Sequence, residues 1–222
     1  FINKKKLDKI LLYLVSFSAG ALFADAFIHL IPEALEQSNI ILVFIYVLVG
    51  ILFSFIIEKF VQWRHCHIPT SKHHPHPIAY MNIVGDVVHN LIDGMIITGS
   101  YLINIPLGIA TTIAVVFHEI PQEIGDFGVL IYAGFERRKA LFVNFLTALS
   151  AFLGVFLTLF LSKYVGNIAL FLVPFAAGNF IYIAGSDLIP ELHKETDFKK
   201  SAIQLFSIIL GILVMLSLLL LE

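Results

Sequence analysis

Two short stretches of this 222-residue sequence set metal-ligating side chains at helical spacing. The first reads Asp86-Val87-Val88-His89-Asn90-Leu91-Ile92-Asp93-Gly94. His89 and Asp93 are four residues apart, Asp86 lies three residues before His89 on the same stripe, and Asn90 is rotated slightly aside. Four residues make about one helical turn, so an imidazole and a carboxylate project from one face about 6 Å apart along the axis. The second stretch reads His118-Glu119-Ile120-Pro121-Gln122-Glu123-Ile124-Gly125-Asp126 and carries two such pairs, His118 with Gln122 and Glu119 with Glu123. Mixed nitrogen and oxygen donors suit Zn²⁺, Fe²⁺, Mn²⁺ or Cd²⁺. No Lys or Arg falls within either helical run, so a metal cation or protons must balance these carboxylates.

The elements that hold the patches are apolar helices long enough to cross a bilayer. The chain is 59% apolar and 14% charged, and its mean hydropathy is +0.92. That places it among all-α, polytopic helical membrane proteins. Seven spans can be drawn, at roughly 10–35, 40–62, 78–101, 105–133, 138–162, 166–192 and 201–221. Each approaches or exceeds the ~20 residues that cross ~30 Å of hydrocarbon. The hinges Gln37-Ser38-Asn39, Ile103-Asn104 and Glu136-Arg137-Arg138 leave no room for a soluble domain, so residues 1–222 read as one transmembrane domain. The break near Asn104 predicts an antiparallel hairpin in which Asp93 and Gln122 meet. Pro121 cannot donate a backbone hydrogen bond, which frees the Phe117 carbonyl and should loosen the helix where the ligands gather. Gly94 lets a neighbouring helix approach closely. A net charge of −2 with no basic domain gives no footing for nucleic acid. The single Cys66 excludes a disulfide framework and a CxxC metal knuckle.

Lys and Arg fix a predicted orientation. Lys4, Lys5, Lys6, Lys9, Lys59, Arg64, Lys72, Arg137, Arg138, Lys139, Lys194, Lys199 and Lys200 fall on one side, and only Lys163 on the other. The side with 13 of the 14 basic residues reads as cytosolic. The visible N-terminus is then inside and the C-terminus extracytoplasmic, in a plasma or inner membrane. An odd span count, and a first residue of Phe1 rather than Met, point to one further span upstream.

An internal repeat relates the first and sixth spans. Ala19-Gly20 and Leu30-Ile31-Pro32-Glu33 recur as Ala177-Gly178 and Leu188-Ile189-Pro190-Glu191, at a constant offset of 158. The two spans run in opposite directions, so the repeat is inverted and flanks the central hairpin, as in transporters that alternate access. Asp25, His29 and Glu33 form a stripe near the outer end of the first span. Asp187 and Glu191, followed by His193 and Glu195, form another near the inner end of the sixth. With Asp86, Glu123 and Asp126 these residues read as a metal pathway, while capping at the interface is the competing account of Glu33, Glu36, His193 and Glu195. The loop bearing His65, Cys66, His67, His73, His74 and His76 reads as a cytosolic metal collector.

These motifs resemble those of the ZIP (Zrt/Irt-like protein) family of divalent metal transporters. His89-Asn90-Leu91-Ile92-Asp93-Gly94 is similar to the family's HNxxDG motif, and His118-Glu119-Ile120-Pro121-Gln122-Glu123 to its HEIPHE motif, with Ile124-Gly125-Asp126-Phe127 also fitting. The resemblance covers nearly the whole chain. It implies eight spans, of which these are the last seven, import of zinc or a related metal into the cytosol, and a homodimer. It implies a first metal ion held by His89, Asp93, His118 and Gln122, and a second held by Asn90, Glu119 and Gln122, with Asp25 and His29 at the entrance. Gln122 stands where the matching motif has His, and a neutral amide is a weaker bridge between two cations. Two other classes compete. His118-Glu119-Ile120-Pro121-Gln122 reads as a degenerate HExxH of an intramembrane metalloenzyme, but Gln122 removes one of the two histidines that site needs. A proton-coupled antiporter would use the same carboxylates without metal. The sequence favours transport and no enzyme activity.

Overall fold

The computed structural model describes residues 4–63, 77–165 and 168–221. All regular structure in them is helical. The order is α1 (Lys4–Ala24), a π-helical stretch Asp25–Leu30, α2 (Ile31–Gln37), α3 (Ile40–Trp63), α4 (Pro77–Ile103) and α5 (Ile105–Tyr132). There follow α6 (Arg137–Ala148), α7 (Ser150–Leu161), α8 (Ala169–Tyr182), a second π-helical stretch Ile183–Leu188, α9 (Ile189–Leu192) and α10 (Phe198–Leu218). Three spans expected to be single helices are therefore rods with a local break. The histidines His65, His67, His73, His74 and His76 lie outside the described residues, as does the collector they were expected to form.

Five rods are long and apolar enough to cross a membrane: Tyr13–Gln37, Ile40–Lys59, Arg137–Leu161, Ala169–Leu188 and Phe198–Leu218. The chain is an all-helical, multi-pass membrane protein. The other two long helices, α4 with 27 residues and α5 with 28, are each about 40 Å long and carry the polar patches. Large apolar side chains on α3, α7 and α10 point outward, among them Leu48, Phe156 and Phe206. The interior is rich in alanine, including Ala21, Ala26, Ala110, Ala114, Ala176 and Ala184, all fully buried. Small residues inside and large ones outside suit a bundle whose solvent is lipid, where close helix approach replaces the hydrophobic drive of water.

The repeat extends into the backbone. The two π-helical stretches coincide at the offset of 158, Asp25–Leu30 against Ile183–Leu188. In both, the residue before the proline reaches back five positions, Ile31 N–H to Ala26 O and Ile189 N–H to Ala184 O. Pro32 and Pro190 lack the N–H that would continue the α-helical ladder, and the wider turn accommodates the loss. The repeated glycines do matching work. A Cβ on Gly20 would stand 2.1 Å from Ile208 O, and one on Gly178 2.0 Å from Val47 O. Across the same two contacts, Gly211 meets Phe17 O and Gly50 meets Phe175 O. So α1 packs on α10 as α8 packs on α3. Constant spacing of the cross-helix pairs Tyr46–Phe171, Ser54–Asn179 and Glu58–Tyr182 makes α3 parallel to α8. Because the chain turns back at Ser38–Asn39, α1 and α8 run oppositely, as an inverted repeat requires.

Between the two halves lies the hairpin of α4 and α5. Only Asn104 separates these helices, and its Oδ1 accepts from Leu107 N at 2.8 Å as the N-cap of α5. The pairs Asn82–Asp126, His89–His118 and Ser100–Thr111 follow an antiparallel register. On its other side α4 packs against α7 through a reciprocal glycine contact. A Cβ on Gly94 would lie 1.9 Å from Ala151 O, and one on Gly154 2.0 Å from Leu91 O.

Candidate metal centre

Four side chains of the hairpin converge on one point. His89 Nε2 lies 3.1 Å from Glu119 Oε1, 3.6 Å from Asp93 Oδ2 and 3.2 Å from His118 Nε2. His118 Nε2 lies 3.2 Å from Asp93 Oδ2 and 3.5 Å from Glu119 Oε1. His89, Asp93, His118 and Glu119 each offer one atom to the group, all within 4.8 Å of one another. A tetrahedral zinc ion with bonds of ~2.0–2.1 Å spaces its ligand atoms by about 3.3 Å. Five of the six separations straddle that value and all lie within 4.8 Å, so a tetrahedral ion would draw the two carboxylates together.

The electrostatics point the same way. Asp93 and His118 are 2% exposed, and both Asp93 oxygens and Glu119 Oε1 are buried without a hydrogen-bond donor. His118 Nδ1 stands 3.2 Å from Ala114 O. When that nitrogen donates to the carbonyl, the Nε2 lone pair faces the group, the tautomer a metal ligand needs. Its ring also packs edge-on against Phe180 of α8, with centroids 5.8 Å apart. Two imidazoles and two carboxylates this close together must share a cation or protons, since each buried group left unsatisfied would cost several kcal/mol.

The sequence placed these ligands on facing helix faces, and the structure brings His89, Asp93 and His118 together. Glu119 completes the set. Asn90 turns to Asp86, its Nδ2 donating to Asp86 Oδ1 at 2.7 Å and Asp86 O at 3.2 Å. Gln122 lines a cavity beside the four ligands. Glu123 accepts a short hydrogen bond from Asn144 of α6.

That cavity has a volume of about 410 Å3. It runs from His89 and His118 past Gln122 and Asp86 to Asp126, Glu58 and Asp187. These last three stand toward the C-terminal ends of α5, α3 and the α8 rod, on the side that carries Lys59, Arg137, Arg138 and Lys139. Asp126 accepts from Asn82 at 2.5 Å. The opposite end is closed: Asp25 and His29 are buried, and His29 Nε2 lies 3.0 Å from Met215 O of α10.

Two expectations need correction. Pro121 was expected to loosen α5, yet the helix is continuous from Ile105 to Tyr132. The freed Phe117 carbonyl accepts a hydrogen bond from Ser18 Oγ of α1 at 2.6 Å, which supplies the missing donor from outside. The lower rungs of the inner stripe also differ. Glu195 accepts from Lys200 Nζ at 2.7 Å and from the backbone N–H groups of Thr196 and Asp197, and His193 is exposed. The Lys200 ammonium holds the Glu195 carboxyl below the usual carboxylate range. This is the interfacial cap that competed with the pathway reading, and neither residue lines the cavity. The side chain of Glu191 lies outside what is described. Sequence reasoning missed Glu58, Tyr182, Ser54 and Asn179. Tyr182 donates a short hydrogen bond to Glu58, and Ser54 donates to Asn179 at 2.6 Å, all along the cavity wall. An acidic residue in the last turn of an otherwise apolar span was the available signal for Glu58.

Comparison with known proteins gives the arrangement its context. A family model described as "ZIP Zinc transporter" matches residues 1–78 and 65–219. The chain is similar to "Zinc transporter zipt-7.1" of Caenorhabditis briggsae, 32% identical over 83% of this chain and 62% of that protein. It is similar to "Zinc transporter ZIP13" of Pongo abelii, 31% identical over 91% of this chain and 65% of that protein. It is also similar to "Zinc transporter YKE4" of Saccharomyces cerevisiae, 31% identical over 91% of this chain and 69% of that protein. The chain thus spans less than two thirds of the first two. A match along nearly all of its length, with both ligand-bearing motifs inside it, leaves one assignment: the chain belongs to the ZIP zinc transporter family.

Proposed function

We propose that this protein carries divalent transition-metal ions, zinc first among them, across a membrane into the cytosol. The observation that carries this is the group of His89, Asp93, His118 and Glu119, whose two imidazoles line a cavity leading to the basic side. The ion is cargo. It displaces protons from the imidazoles, neutralises two buried carboxylates, and leaves along Asp86, Asp126, Glu58 and Asp187. Asp25 and His29 serve as the entrance, which this conformation closes. Access alternates as the repeat halves shift around the hairpin. Asn90 and Gln122 are the neutral donors left for a second ion together with Glu119, so that ion binds weakly. Iron, manganese and cadmium satisfy the same donors. Seven crossings, with Lys59 and Arg137–Lys139 in the cytosol, in a plasma or inner membrane, and a homodimeric assembly complete the reading.

A metalloenzyme fits less well. A catalytic zinc keeps an open position for water, whereas here four protein groups surround the point. Glu119, which would be the general base of an HExxH site, stands among the ligands. The test is uptake into liposomes reconstituted with the purified protein, using a panel of metals. The intact chain should accumulate zinc, and Asp93→Ala should lose the flux while keeping its fold. Absence of flux for every metal would reject the transport reading, and uptake that survives both His89→Ala and His118→Ala would reject this site.

A further inference from the structure

Pro121 leaves its mark on a neighbouring helix as well as on α5. Phe117 immediately precedes His118, and its carbonyl is the one that Pro121 leaves without an α-helical donor. Ser18 is fully buried on α1 and donates to that carbonyl at 2.6 Å. The same hydroxyl also lies 2.8 Å from Leu14 O on its own helix. Beside this contact the Phe17 and Phe117 rings meet with centroids 4.5 Å apart. Helix α1 therefore touches α5 one residue away from a proposed metal ligand, at the carbonyl that Pro121 leaves without its α-helical donor.

We propose that Ser18 is a positioning residue for the metal centre. It replaces the backbone hydrogen bond that Pro121 removes, and so fixes the turn that presents His118 and Glu119. This rests on the reading of those residues as metal ligands. The bond is asymmetric. If α1 and the hairpin separate, Ser18 keeps Leu14 O as an acceptor, whereas Phe117 O loses its donor. Loss of the hydroxyl should therefore be felt in the ligand geometry of α5 and little in α1. Restoring an N–H at position 121 should make Ser18 dispensable.

The experiment is a double-mutant cycle read by zinc binding to the purified full chain in detergent, with thermal unfolding recorded alongside. The four proteins are the unaltered chain, Ser18→Ala, Pro121→Ala and the double variant. Ser18→Ala should weaken zinc binding roughly tenfold, the scale of one buried acceptor left unsatisfied. In the Pro121→Ala background the same change should cost less than about twofold, because the backbone N–H restored by that substitution now serves Phe117 O. If Ser18→Ala alone does not fold, recovery of folding and zinc binding in the double variant is the same coupling in another form. An equal loss in both backgrounds, or no loss with Pro121 present, overturns the positioning role. Zinc binding by the unaltered chain that is indifferent to His118→Ala would overturn the ligand assignment, and the positioning role with it.

Discussion

At the scale of single residues, the spacing of His89, Asp93 and His118 put them on facing helix faces, and the structure brings their side chains together. Glu119 did not announce itself in the same way, because on an ideal helix it points about 100° from His118. It joins the group because the point of convergence lies between α4 and α5, where two adjacent positions of one helix can both reach. Gln122 is the residue where the motif and the sequence part company. We expect one zinc per chain at saturation in the unaltered protein, and two in Gln122→His, because imidazole is a far better donor than a neutral amide. Metal analysis of the dialysed proteins checks this, and a stoichiometry unchanged by the substitution would argue against Gln122 lying between two ions. Binding also requires His89 and His118 to be free of protons, so affinity for zinc should fall steadily on acidification. Titration calorimetry at several pH values reads the effect, with proton release growing as the pH falls.

Elements were legible where a strong period or a breaker marked them. Lengths, hinges and the Pro-linked repeat could be read from the chain. The local breaks could not, since a π-helical turn before Pro32 or Pro190 is a backbone adjustment with no side-chain pattern of its own. Contacts between helices were legible only through glycine, and there only as permission to approach. Gly94 was expected to admit a neighbour, and it admits α7. The glycines now separate into testable classes. Gly94→Ala and Gly154→Ala would drive a Cβ to within 1.9 Å and 2.0 Å of backbone carbonyls on the partner helix. Each should destabilise by about 3 kcal/mol or more, since a backbone cannot step aside as a side-chain tip can. Gly134 sits at φ 95° just past α5, where Phe135 N–H closes on Leu130 O at 3.0 Å. Gly134→Ala should cost about 1 kcal/mol. Gly128 has nothing within 4 Å of a built Cβ, so Gly128→Ala should leave stability unchanged or raise it by about 0.5–1 kcal/mol. Thermal unfolding in detergent ranks the four, and a Gly94→Ala protein as stable as Gly128→Ala would mean that α4 and α7 do not pack this closely.

For the molecule as a whole, two independent lines give a direction. The distribution of Lys and Arg predicts that one side is cytosolic, from the sequence alone. The cavity, which owes nothing to those charges, leads from the imidazoles to Glu58 and Asp187 on that same side. The other end is shut, with Asp25 and His29 packed inside and Ala26 fully buried between them. Sequence predicts an orientation but not the state, because which end is open depends on how the repeat halves sit, and both arrangements use the same residues. A labelling experiment separates the two lines. With Cys66 replaced by Ser, a cysteine at Ser54 lies on the cavity wall, and one at Ala26 lies in the closed half. In oriented membranes, a membrane-impermeant maleimide should modify Ser54→Cys from the side bearing Arg137–Lys139 only, and zinc should slow the reaction. Ala26→Cys should stay unmodified from both sides as long as this conformation prevails. Modification of Ser54→Cys from the side of Lys163 would mean that the cavity opens to that side instead. Rapid modification of Ala26→Cys from that side, with Ser54→Cys protected, would mean that the membrane favours the opposite conformation, with Asp25 and His29 exposed to incoming metal.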